Sequence, residues 1–146
     1  EEQALPSEHR LKRRVQFYET DAAGIVYFSW YLRYLEEAEH ALWRKAGLSI
    51  ASPNATIGWP RVSVTFKYKH PLYFEDQFEV HLRVVELTNK TIRYSCDLVM
   101  EKISIATGSM TIACVQRSPG QAIKAIQIPK DISNLFQVWT PTSTAQ

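Results

Sequence analysis

The sequence predicts an α+β domain in which a five-stranded antiparallel sheet is covered by one long helix. Three observations carry that prediction. Apolar and polar residues alternate through five separate segments, the pattern of strands with one covered face. A single segment instead carries apolar residues at three- and four-residue spacing, the period of a helix. The chain has 146 residues, 45% of them hydrophobic and 22% charged, which suits one globular domain and excludes a disordered or fibrous chain.

The first strand is read over Leu11 to Phe17, where Leu11, Val15 and Phe17 alternate with Lys12, Arg14 and Gln16, and Arg13 breaks the pattern. Thr20-Asp21-Ala22-Ala23-Gly24 then supplies turn chemistry, because Asp bonds neighbouring amides and Gly adopts angles closed to other residues. From Ser29 to Ala46 the stripe Tyr31, Leu35, Ala38, Leu42 and Ala46 predicts the helix, with Ser29 as its amino-terminal cap and Gly47 as its terminator. Beyond a connection at 51–60 rich in turn formers, alternation over Val62 to Tyr68, Phe78 to Val84, Ile92 to Met100 and Met110 to Cys114 supplies four more strands. A helix of this length is about 27 Å long, enough to cross five strands about 4.8 Å apart. Residues 1–8 are expected to be a flexible segment, 9–129 the domain, and 130–146 a partly disordered extension anchored by Phe136, Val138 and Trp139.

Seventeen basic against fifteen acidic residues leave a formal charge of only +2, too balanced for a nucleic-acid partner. The run Arg10, Lys12, Arg13, Arg14 reads as a solvated strand face. Cys96 and Cys114 lack a Cys-x-x-Cys spacing and are expected to be free, packed thiols. His9, His40, His70 and His81 lack ligand spacing, so no metal and no cofactor is called for. No apolar run approaches the length of a membrane span and the acidic start lacks a signal peptide, which predicts a cytoplasmic protein with no membrane partner. An open sheet has two edges with unpaired backbone groups, and pairing one with a second copy predicts a homodimer.

Chemistry concentrates between Phe17 and Phe28, where a carboxylate, a Gly turn and a helix start fall within a dozen residues. Unpaired amides at a helix start can stabilise an oxyanion. By residue type alone, Asp21 reads either as a turn residue or as a catalytic carboxylate. The run Asp21-Ala22-Ala23-Gly24-Ile25-Val26-Tyr27-Phe28, followed by Tyr31-Leu32-Arg33-Tyr34, resembles the 4-hydroxybenzoyl-CoA thioesterase family of hotdog-fold proteins. The likeness extends from about Arg14 to Pro129, through the turn His70-Pro71-Leu72-Tyr73-Phe74-Glu75-Asp76 and the step Asn89-Lys90-Thr91.

The resemblance implies a hotdog fold, a sheet wrapped around one central helix. It also implies hydrolysis of an aromatic or short- to medium-chain acyl-CoA, with Asp21 as nucleophile or general base, Gly24 shaping the turn and the Phe28 N–H polarising the thioester carbonyl. Some relatives carry His at the Phe28 position, and Glu75 stands where Gly is usual in the family. A slot between subunits lined by Tyr27, Tyr31, Tyr34, Trp59, Val62 and Val64 is expected to take the acyl group. Lys90 and Arg93 are expected to meet the 3′-phosphate of CoA, and the assembly is expected to be a dimer or a dimer of dimers. Two alternatives stand beside hydrolysis. One is a non-catalytic acyl-CoA-binding module. The other is an enoyl-CoA hydratase, which pairs its Asp with a His five positions on, where this chain has Val26. Glu36, Glu37 and Glu39 on the helix are the fallback carboxylates.

Overall fold

The computed structural model describes residues 4–141. The expectations for residues 1–3 and 142–146 lie outside the described residues. In chain order the elements are β1 (Glu8–Arg14), a 3₁₀ turn (Phe17–Glu19), α1 (Ser29–Lys45), β2 (Ile57–Gly58), β3 (Arg61–Tyr68), β4 (Gln77–Leu87), β5 (Thr91–Met100), β6 (Ile103–Ala113), β7 (Val115–Gln116), β8 (Lys124–Ala125) and α2 (Lys130–Ser133). Five strands form one antiparallel sheet in the order β1-β4-β5-β6-β3, and α1 lies across it. This is the hotdog arrangement expected above.

One stripe of α1, with Tyr34, Leu35, Ala38, Leu42 and Trp43, is buried against inward residues of the sheet such as Leu82, Val84, Ile92, Cys96 and Ile112. Each such aliphatic side chain contributes about 1.5–3 kcal/mol when fully buried. Both cysteines are free and buried, and desolvation pushes the Cys96 thiol up to about 12.

Several boundaries differ from the sequence expectation. The first strand ends at Arg14 rather than Phe17, because the Gln16 N–H donates to Glu19 Oε1 (2.8 Å) and the chain turns there. Phe17 is left exposed. Ser29 is not the helix cap: the preceding Phe28 already has helical angles and no side chain caps the end. Gly47 does take the left-handed conformation after α1. The last long strand begins at Ile103, not Met110, because Glu101 and Lys102 with positive φ close a tight hairpin with β5. Thr107-Gly108-Ser109 hides that strand's alternation in the sequence. A second sheet, β2-β7-β8, was not expected at all, since two-residue strands carry no period.

The tail is bound to the body. Phe136 is buried with its ring 5.2 Å from Trp43, and the Trp139 N–H donates to Val84 O (2.7 Å). Among the described residues no helix is long and apolar enough to cross a membrane.

Candidate active site

The segment between the 3₁₀ turn and α1 folds into a small closed loop. The Gly24 N–H donates to Asp21 O and the Asp21 N–H to Ile25 O, both at 2.9 Å. Asp21 also accepts the Ala23 N–H on Oδ1 (2.8 Å), the Asx arrangement that favours Asp at the head of a turn. Gly24, at φ 83°, takes the left-handed conformation that completes it. Antiparallel bridges join Thr20 to Val26 and Ile25 to Tyr73, and the Val26 N–H donates to Leu72 O. The loop is thus pinned to the segment that follows β3.

A cleft of about 480 Å³ opens beside this loop. Asp21 and the Ile25–Phe28 segment form one wall, with Tyr31 from the first turn of α1. Tyr68, Lys69, His70 and Pro71 form the other. The Tyr31 and Tyr68 rings meet edge to face at 4.9 Å. Burial, with a smaller contribution from Tyr68, pushes the Tyr31 hydroxyl up to about 12. Asp21 Oδ2 carries no hydrogen bond among the described residues, and neither the Phe28 nor the Ser29 N–H finds an acceptor there. The helix start is thus uncapped, and Phe28, the residue at that start, lines the same cleft as Asp21.

A model of the thioesterase-like superfamily matches residues 15–136. The chain belongs to that superfamily. This thioesterase-like chain is 34% identical to a hypothetical protein from Aquifex aeolicus of known structure, with a TM-score of 0.80 over 88% of this chain and 98% of that one. A gentisyl-coenzyme A thioesterase is 26% identical, with a TM-score of 0.76 over 85% of this chain and 98% of that one. A 1,4-dihydroxy-2-naphthoyl-CoA hydrolase of Synechococcus elongatus is 29% identical over 121 residues, 77% of this chain and 89% of that protein.

Of the residues singled out from the sequence, the thioesterase-like fold brings Asp21, Tyr27, Phe28 and Tyr31 into the cleft. The others lie elsewhere. Tyr34 is fully buried and donates its hydroxyl to Glu19 Oε1 (2.8 Å). Trp59 sits under Trp43, ring centroids 5.0 Å apart. Val62 and Val64 are exposed on β3, an edge strand. Lys90 lies in the turn between β4 and β5, and Arg93 pairs with Glu86 at 3.7 Å. The fallback carboxylates are taken up in ion pairs. Glu37 accepts from Arg13 (2.7 Å), while Arg61 reaches Glu36 (3.0 Å) and Glu39 (2.7 Å).

Sequence reasoning missed Lys69 and His70 in the cleft, although the turn containing His70 was one of the matched motifs. It also missed Gly108. A Cβ there would stand 2.5 Å from the Phe66 ring, so glycine lets Phe66 lie flat on β6 beside Tyr31 and Tyr68. Glu19, wholly buried two residues before Asp21, was missed as well. Its only sequence signal is its partner Arg13, which breaks the alternation of β1.

Proposed function

We propose that the protein is an acyl-CoA thioesterase in which Asp21 and the Phe28 N–H act on the two sides of the thioester carbonyl. The observation that carries this reading is their meeting in one cleft, the carboxylate with one oxygen uncommitted and the amide without an acceptor. Asp21 either adds to the carbonyl carbon or removes a proton from the water that does. In both routes negative charge develops on the carbonyl oxygen, where the Phe28 N–H and the helix start stabilise it. Collapse expels the CoA thiolate and, after water has entered, leaves the free acid.

The aromatic walls from Tyr27, Phe28, Tyr31 and Tyr68 favour an aromatic acyl group, in keeping with the gentisyl-CoA and dihydroxynaphthoyl-CoA named for two relatives. The hydratase reading finds no support in the cleft, because its second acid–base position is the buried Val26. The reading includes a homodimer, supported by the exposed Val62 and Val64 on the open edge of β3. Antiparallel pairing of two β3 edges carries the start of one strand toward the end of the other. Val62 of the second copy then stands near Tyr68, at the cleft. The CoA nucleotide is assigned to the surface around Lys90, which has no ion pair among the described residues.

Replacing Asp21 with Asn tests the central claim. Turnover of a hydroxybenzoyl-type CoA ester, followed by thiol release, is expected to fall about 10²–10⁴-fold with binding retained. Near-normal turnover would reduce Asp21 to a turn residue.

A further inference from the structure

We propose that Glu19 is the positioning residue of the Asp21 loop, its buried carboxylate fixing where Asp21 and the Phe28 N–H stand relative to one another. The inference rests on the catalytic reading of Asp21 given above. Glu19 is fully inaccessible to solvent, unusual for a carboxylate. Three groups from three places surround it. The Gln16 N–H and the Tyr34 hydroxyl each donate to Oε1 at 2.8 Å. Arg13 faces Oε2 at 2.6 Å in an ion pair that lacks the alignment of a hydrogen bond. The same guanidinium lies over the Tyr34 ring (4.7 Å) and donates from Nε to Glu37 (2.7 Å).

One side chain thereby ties the root of the loop to β1 through Arg13 and to α1 through Tyr34. The main chain of Glu19 closes the clamp, since its carbonyl accepts the Tyr27 N–H at 2.9 Å. Glu19 therefore holds both limbs of the loop. Asp21 follows it by two residues, and the Phe28 amide follows the residue it grips. A buried ion pair is a poor device for stability, because desolvation offsets much of its attraction. The aligned bonds from the Gln16 N–H and the Tyr34 hydroxyl are what fix geometry, because a bond to a carboxylate is both strong and directional, and a shift of about 1 Å at a reacting group can cost about 100-fold in rate.

The test measures kcat, KM and thermal midpoint for Glu19→Gln and Tyr34→Phe, each alone and combined with Asp21→Asn. Tyr34→Phe keeps the ring against Arg13 and removes only the hydroxyl, so it reports even if Glu19→Gln fails to fold. Well below their midpoints, Glu19→Gln is expected to lower kcat about 10–100-fold and Tyr34→Phe about 3–10-fold, with KM for the acyl-CoA within about threefold. On the Asp21→Asn background each is expected to cost clearly less than in the single variant, because the carboxylate is gone and only the Phe28 N–H is left to be positioned. Normal kcat in the folded single variants, or equal losses on both backgrounds, overturns the proposal and leaves the role of Asp21 standing. Normal turnover in Asp21→Asn alone removes both.

Discussion

The Ala23 N–H bond to Asp21 Oδ1 makes asparagine a sharp probe, because an amide oxygen accepts the same bond while the reactive charge is lost. Turn and chemistry are thereby separated by one substitution. Glu75 offers a second single-residue test. It stands at φ 76°, where an L-residue is strained by about 1–2 kcal/mol and where relatives of the family it resembles carry Gly. Its pairing with Arg14 is long, at 4.0 Å, and exposed, so little opposes that strain. Glu75→Gly is expected to raise unfolding stability by about 0.5–1 kcal/mol after the entropy of the freer glycine chain is counted. Chemical denaturation checks it, and a loss of stability would show that the Glu75 side chain contributes more than its backbone strain costs.

At the scale of elements, α1 contributes both to the wall of the cleft and to the buried ion pairs. Its first turn is uncapped and open to the cleft, while its buried face holds Glu39 against Arg61. Desolvation, opposed by Arg61 and by Tyr94, holds the Glu39 carboxyl above its usual range. A carboxyl whose folded value is raised stabilises the fold most fully below its unfolded value near 4.5. That contribution is lost as pH climbs from there through the folded value. The stability of the wild type relative to Glu39→Gln is therefore expected to decline as pH rises from 4.5 and then level off. Denaturation midpoints of the two proteins across pH 4.5–8 measure the difference directly, and a difference that grows with pH would contradict the assignment. The element also shows why its carboxylates read ambiguously in sequence. Helical period places Glu36, Glu37 and Glu39 around α1, but only the packed sheet decides that Arg13 and Arg61 claim them.

At the scale of the whole molecule, the sheet ends on one side at β3, whose Val62 and Val64 are exposed. A long apolar edge favours pairing with another strand. With the proposed two-fold pairing, Val64→Glu brings two like charges near the symmetry axis and is expected to shift the protein to monomer at micromolar concentration. Activity is expected to fall with it if the second copy completes the cleft, and light scattering beside a thiol-release assay reads both. A variant that stays dimeric would place the interface elsewhere. The sequence carries the strand–helix–four-strand order, the extent of α1 and the Asp21-to-Phe28 motif, because period and turn chemistry are local properties that each segment displays unaided. It left β2, β7 and β8 unseen, since two-residue strands have no period, and it sent Tyr34 and Trp59 to the cleft when both belong to the core. Packing of the helix on the sheet sets Arg13, a single break in one strand's alternation, against a carboxylate six residues on and a tyrosine on the helix. Burial depends on which faces meet, and no local pattern records that meeting.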